Sequence, residues 1–557
     1  MAEWPARLLH VPTWTSYAQT KPGVYNNVES PKYNVLSYTW GRWEAPSGEA
    51  ISIGGITWKI PCIDPAHFTK DEFRKTVESV RHRRKEIERV DWVWLDISCI
   101  DQENGAAKAI EVGRQALIFR KATQAYVWLV SFSTEELRLV LKDLLQYGSP
   151  FEARQNAILR LLQDPYFSSL WTLQEAFLKS DAILLSREGD TVTCMLDSLT
   201  EVTTHVDLHY FDNVPEAKPG RLEKYKVSLD DILDAIKDYT NEVSLRSIAS
   251  RAEPSDEDPL QVAALAKIEA SGIAALNCRL NPFLIYNTAS LRKVHSLLDR
   301  VYAIMQIYEL RLGSSAHPER KFSLAELEDQ LIDGFLQISP MLSQLFVHTR
   351  PPKDGCSWRM NKDSASLAFN IAIDLMTYTA SSSGYAIQST FEKEGLQLTR
   401  NISTGALVWR GSGCSLQTAA VYWTEALKHR SSYINVGFPY EFKVSIQFDA
   451  SHIRRGKAPE AQNLLPATET SLAKAIDAVD AIYGLDNLWV LRMSRVPTQD
   501  DSTGRRTVWA WAAVIAVQEC DKRYIRRIGI CVWDMHYFPR VDDFEDVRWG
   551  KFEGEMM

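Results

Sequence analysis

The chain has 557 residues, enough for three or four domains of about 150 residues. Its 45% hydrophobic and 24% charged composition excludes disordered, collagenous and fibrous classes. With 71 acidic against 63 basic residues the formal charge is −8, spread without an acidic or basic tail, so no nucleic-acid partner is expected.

The N-terminal stretch MAEWPARLLHVPTW has no basic-then-apolar leader pattern. The longest apolar run, Val508 to Val517, is half the length of about 20 residues that a membrane span needs, so a cytoplasmic chain without a span is expected. Cys62, Cys99, Cys194, Cys278, Cys356, Cys414, Cys520 and Cys531 are scattered without a CxxC pair, which points to buried thiols in a reducing compartment and away from a structural zinc site. The 17 tryptophans fall largely inside apolar, strand-like runs and read mainly as core.

In chain order, YNVLSY (Tyr33 to Tyr38) reads as a strand closed by the loop signals Thr39, Gly41 and Pro46. A β-leaning stretch, Ile51 to Ile60, follows. Thr69 with Glu72 forms a capping box ahead of an amphipathic helix reaching about Arg89, whose RHRRK run suits a solvated outer face. VDWVWLD (Val90 to Asp96) is apolar on both faces, as a strand buried in a parallel sheet is. Helical spacing over Ala106 to Ala122 leads to a third apolar strand, Gln124 to Val130. The alternation of strand and helix is the pattern of a doubly wound α/β sheet with helices on both faces. Two helices (Thr134 to Tyr147 and Glu152 to Gln163), a third (Ser168 to Ser180) and a strand, Asp181 to Ser186, complete this α/β domain, taken as residues 1–190. Residues 191–380 read as mainly helical. Residues 381–557 read as an α+β region whose runs Leu488 to Val496, Thr507 to Val517 and Tyr524 to Trp533 suggest an antiparallel meander.

No Walker A loop, GxGxxG, HExxH or GxSxG is present. His205 and His209 have the spacing of a helical metal pair but no evident third ligand, so no metal site is expected. In open α/β sheets ligands bind beyond the carboxyl ends of the strands, which singles out Ser37, Tyr38, Thr39, Trp40 and Gly41, then Asp96, Cys99, Asp101 and Gln102, then Trp171, Gln174 and Glu175. Each has a plain structural alternative: Asp96 and Asp101 can cap the next helix, Cys99 can be a core thiol, and Trp171 can anchor helix to sheet. Trp171 and Glu175 are one helical turn apart, so an indole and a carboxylate share a face, a combination suited to holding a ribose and stabilising an oxocarbenium-like centre.

YNVLSYTWG, VWLDISCIDQ with IFRKATQAYVWL, and LWTLQEA (Leu170 to Ala176) resemble, in order, the three blocks of the fungal heterokaryon incompatibility (HET) domain. SLLDRVYAIMQIYEL (Ser296 to Leu310) is similar to a segment that often follows that domain, and SWRMN (Ser357 to Asn361) and YIRRIGICVW resemble later family stretches more faintly. The resemblance implies a role in non-self recognition and regulated cell death, self-association, a protein partner in incompatibility signalling, and a fold like Toll/interleukin-1 receptor (TIR) domains. Many TIR domains cleave NAD with a glutamate from a Trp-x-x-x-Glu stretch. The resemblance therefore implies Glu175 as catalytic carboxylate, with Ser37, Tyr38, Trp40, Gly41, Asp96 and Trp171 lining the site and NAD as substrate, not as a tightly bound cofactor. The chain departs from the family's usual residues at Ser169, Ala107, Glu111 and Val130. A non-catalytic, self-associating signalling module and recruitment to a different small-molecule reaction stay open as alternatives.

Overall fold

The computed structural model describes residues 4–40, 43–81, 89–146, 148–195, 224–250, 258–273, 282–338, 342–353, 355–361, 363–365, 396–428, 444–449, 463–464, 468–499, 507–521, 523–534 and 549–557. It divides into two compact units, Met1–Asn277 with Thr288–Leu327, and Cys278–Asn287 with Glu328–Met557.

The first unit opens with short strands β1 (Arg7–His10), β2 (Thr15–Lys21), β3 (Val24–Tyr25) and β4 (Val28–Glu29), then β5 (Tyr33–Ser37) and β6 (Glu44–Glu49). Next come α1 (Lys70–Ser79), β7 (Trp92–Trp94), α2 (Asp96–Cys99), α3 (Gly105–Val112), α4 (Gln115–Lys121) and β8 (Ala125–Trp128). They are followed by α5 (Thr134–Leu145), α6 (Phe151–Leu161), α7 (Leu170–Leu178), β9 (Ile183–Leu185), β10 (Thr193–Met195) and β11 (Lys224–Lys226), then α8 (Leu229–Ser250), α9 (Pro259–Ser271), α10 (Pro282–Leu291, begun in the second unit) and α11 (Asp299–Met305).

The four apolar runs expected as strands pair in parallel in the order β7-β5-β8-β9, and every residue of these strands is buried. Burial on both faces is why they lack polar alternation. The chain crosses from β5 to one side for β7 and to the other for β8, so a topological switch point lies at the carboxyl end of β5. The sheet extends beyond β7 through the antiparallel β1 to β4, with Leu9 opposite Val93, an extension the sequence reading did not include.

Local signals place several helices. Thr69 and Glu72 close a capping box on α1, as do Ser133 and Glu136 on α5. The single helix expected over Ala106 to Ala122 is two, broken at Gly113, where an added Cβ would sit 3.1 Å from the Cβ of Ser315. The stretch Ile51 to Ile60 forms an isolated bridge at Gly54 instead of a strand, and the expected helix after Thr69 ends as α1 at Ser79, residues 82–88 lying outside the described set.

In the second unit, α12 (Leu324–Ile338, begun in the first unit) precedes β12 (Val347–His348), β13 (Ser364–Ala365), β14 (Gln397–Arg400), β15 (Leu407–Ser415), α13 (Leu416–Lys428), β16 (Val444–Phe448), β17 (Asn463–Leu464) and α14 (Glu469–Tyr483). The chain finishes with β18 (Leu488–Gln499), β19 (Thr507–Gln518), β20 (Tyr524–Asp534) and β21 (Gly550–Met556). The expected antiparallel meander is β18-β19-β20, and β21 pairs with both β15 and β20, so the sheet curls on itself. Trp423 and Leu427 of α13 and Leu472 and Ile476 of α14 pack on Val490, Trp511, Ile515 and Trp533. Burying each such side chain stabilises the unit by about 1.5–3 kcal/mol.

Candidate functional site

Two carboxylates meet the carboxyl ends of the parallel strands. Ser37, the last residue of β5, donates its hydroxyl hydrogen to Glu175 Oε2 of α7. Tyr38, the next residue, donates to Asp96 Oδ1 at 2.7 Å, where the Ile97 N–H also donates at 2.7 Å. Successive residues at a strand end point to opposite sides, so β5 hands one hydroxyl to each carboxylate. Glu175 and Asp96 keep some accessible surface while protein surrounds their carboxyl groups closely.

That enclosure sets the electrostatics. Burial pushes Glu175 up to about 8; the Ser37 hydroxyl opposes this and the negative charge of Asp96 adds to it. Asp96 is also raised by burial, against the bonds from Tyr38 and the Ile97 amide. Burial likewise raises Tyr38, with Asp96 the next largest cause. At neutral pH the pair therefore holds a proton, with Glu175 as its principal carrier.

The helix carrying Glu175 is held from several sides. Leu170, Leu173 and Ala176 are buried, and Gln174 donates its amide to Gln115 Oε1 of α4. At its start the Ser169 side chain makes no cap; instead Thr172 Oγ1 donates back to the Tyr166 and Ser169 carbonyls at 2.5 and 2.9 Å. Arg292, which follows α10, donates from Nη1 to the Ser169 carbonyl at 2.8 Å and to Thr172 Oγ1 at 3.3 Å, and from Nε to the Ser271 carbonyl at 2.6 Å. Lys293 pairs with Ser169 as a parallel bridge. The Trp171 indole acts on the Asp299 carboxylate at the start of α11, within the Ser296 to Leu310 stretch, opposing the rise that burial gives that carboxyl. Trp171 is thus engaged by α11, one turn from Glu175.

The other residues named from sequence fall into place as follows. Trp40 packs among Phe68, Phe73 and Tyr38, its indole N–H buried without a partner among the described residues. Gly41 lies outside the described residues, as do His205 and His209. Asp101 accepts from the Glu103 and Asn104 amides at 3.0 and 2.9 Å ahead of α3, a turn-closing role. Cys99 is a core thiol, pushed up to about 12 by burial. Gln102 donates to the Asp96 carbonyl at 3.1 Å. Among the described residues no group of three or more His, Cys, Asp or Glu could hold a metal ion, and no helix is long and apolar enough to cross a membrane. Tyr166 and Arg292 were not anticipated; a buried arginine 117 positions beyond Glu175 leaves no local pattern.

No curated protein and no solved structure matches the chain. A family model does: that of the heterokaryon incompatibility protein (HET) matches residues 33–175, from the first residue of β5 to Glu175 itself. The match spans the parallel strands β5, β7 and β8 and both carboxylates, and the chain therefore carries a heterokaryon incompatibility (HET) domain.

Proposed function

We propose that this protein acts in fungal heterokaryon incompatibility and regulated cell death, and that its first unit is a TIR-like domain that hydrolyses NAD with Glu175. The observation carrying the activity is the Ser37–Glu175 bond at the carboxyl end of β5, which sets a carboxylate where an α/β sheet binds ligands. The parallel order β7-β5-β8-β9, second-first-third-fourth along the chain, supports the TIR-like reading, since it is the flavodoxin-like order.

In this reading the C1′–N bond of the nicotinamide ribosyl group breaks, its electron pair leaves with nicotinamide as a neutral base, and water adds its oxygen to C1′ and gives up a proton to the solvent. Ionised Glu175 holds the ribose hydroxyls and stabilises the positive charge developing on the ring, and Asp96, fixed by Tyr38, deepens the negative field. Pyridinium departure needs no proton, so the active form is the carboxylate and the rate rises with pH through about 8. The test is nicotinamide release by the full chain and by Glu175→Gln across protein concentrations. Release lost in the variant supports the hydrolase, and a steep concentration dependence points to self-association as the switch. No release at any concentration or pH refutes the activity.

The second reading, a non-catalytic self-associating signalling module, is favoured by the proton Glu175 holds at neutral pH. It requires Glu175→Gln to leave cell death unchanged in vivo.

A further inference from the structure

We infer that Tyr166 and Arg292 are positioning residues for Glu175, forming with Ser37 a directed hydroxyl line that sets how readily the glutamate ionises. The inference deepens the hydrolase reading and rests on it for the catalytic consequence, but not for the existence of the line.

Ser37 Oγ lies within bonding distance of both Glu175 Oε2 and Tyr166 Oη, the latter at 3.3 Å and the longer of the two. A serine hydroxyl has one hydrogen. In the structure Ser37 is the donor in both contacts, and its one hydrogen cannot serve both at once; when Glu175 is ionised that hydrogen goes to the carboxylate, which leaves the Tyr166 hydroxyl to turn and donate to Ser37, so that in this state the donors run Tyr166 to Ser37 to Glu175. Chains of this kind polarise each member in turn.

Behind Tyr166 stands an arginine whose position needs an explanation. Arg292 is 5% exposed, and no carboxylate lies within ion-pair distance of it among the described residues. Among the described residues its side-chain hydrogen bonds run only to the Ser169 and Ser271 carbonyls and to Thr172 Oγ1. Burial pushes it down to about 10, and the one ionisable group acting on it is Tyr166. Burying an unpaired cation is costly, and the contacts of this one lead through Thr172 Oγ1 to the backbone carbonyl of Tyr166, the residue that heads the line. The positive charge makes Tyr166 a stronger donor, against the burial that raises its pKa, and the effect passes through Ser37 to Glu175. The same guanidinium grips the first turn of α7, and Thr172 Oγ1, which it touches, binds the Tyr166 carbonyl, so one residue fixes both ends of the line.

The groups facing Glu175 are Ser37 and Tyr38 from the end of β5, Asp96 from α2, and Tyr166 from the turn before α7. Asp164, beside Tyr166, accepts from the Tyr166 and Ser131 amides and is pushed up to about 6 by burial. Asp96 opposes ionisation of Glu175, and the Tyr166–Ser37 line favours it.

The test uses full-length protein carrying Tyr166→Phe, Arg292→Met or Arg292→Lys, with Tyr17→Phe as a remote control. Two readouts are taken: the pH midpoint of nicotinamide release, and the titration of the Glu175 carboxyl by carbon NMR of glutamate-labelled protein, assigned with Glu175→Gln. Tyr166→Phe and Arg292→Met should each raise both midpoints by half to one pH unit. Release at pH 7 then falls about three- to tenfold, while the high-pH plateau is retained. Arg292→Lys should stay near the parent midpoint because it keeps the charge. A purely structural role would lower the plateau and leave the midpoint in place. If the parent releases no nicotinamide the hydrolase reading falls, and the carboxyl titration still decides the line. A Glu175 midpoint unmoved in Tyr166→Phe overturns the inference, even if Arg292→Met fails to fold.

Discussion

Replacing Glu175 with glutamine should stabilise the first unit, by an amount that depends on pH in a defined direction. Glu175 titrates near 8 in the folded chain against 4.5 for a free side chain. Because the folded value is raised, the native state carries no penalty below about pH 4.5, and stability is lost progressively as pH rises toward 8. At about 1.4 kcal/mol per pH unit the interval corresponds to at most about 5 kcal/mol. The residue keeps some accessible surface and the carboxyl keeps the Ser37 bond, so about 2 kcal/mol is the realistic share. Glutamine keeps the shape and can still accept from Ser37, and it never ionises. Thermal unfolding of the full chain should therefore show the variant melting roughly 4 °C higher at pH 8 and equal to the parent at pH 4.5. An offset equal at both pH values, or a variant less stable at pH 8, would refute the enclosed, acid-flanked placement of Glu175.

Asp299→Ala removes the carboxylate on which the Trp171 indole acts and should cost about 1–2 kcal/mol in urea unfolding, loosening α7 without touching Glu175 directly. Gly272 ends α9 at φ +61°, where an added Cβ would lie 1.8 Å from Thr288 Cγ2, so Gly272→Ala should cost about 2–4 kcal/mol; pairing it with Thr288→Ala should recover the steric part and leave the backbone part. Ser133→Ala opens the capping box of α5 and should cost about 1 kcal/mol, measurable as a lower denaturant midpoint with an unchanged slope.

Much of the first unit was legible because its signals are local. YNVLS, WVW, AYVW and ILL are strands buried on both faces, and a stretch with no polar face announces itself. The box at Thr69 satisfies helix amides within four residues. Trp171 and Glu175 share a helix by their spacing, and the three HET-like blocks lie inside residues 33–175, the span the family model matches. The strands β1 to β4 were not legible: RLLH is too short to show a period, and it becomes a strand only because β7 offers an edge.

What the sequence alone determined is which residues could carry chemistry and which segments must be buried, since both follow from side-chain type and short-range period. What the tertiary structure decided is partnership. It joins Ser37 to Glu175 across 138 positions, Tyr38 to Asp96 across 58, and Arg292 to Ser169 across 123. It also turns the Trp171 indole to Asp299. Hydrogen bonds and charge act over a few ångströms of space whatever the separation along the chain, so the ionisation of Glu175 was written in no local pattern and arose only when β5, α2, α7 and Arg292 came together.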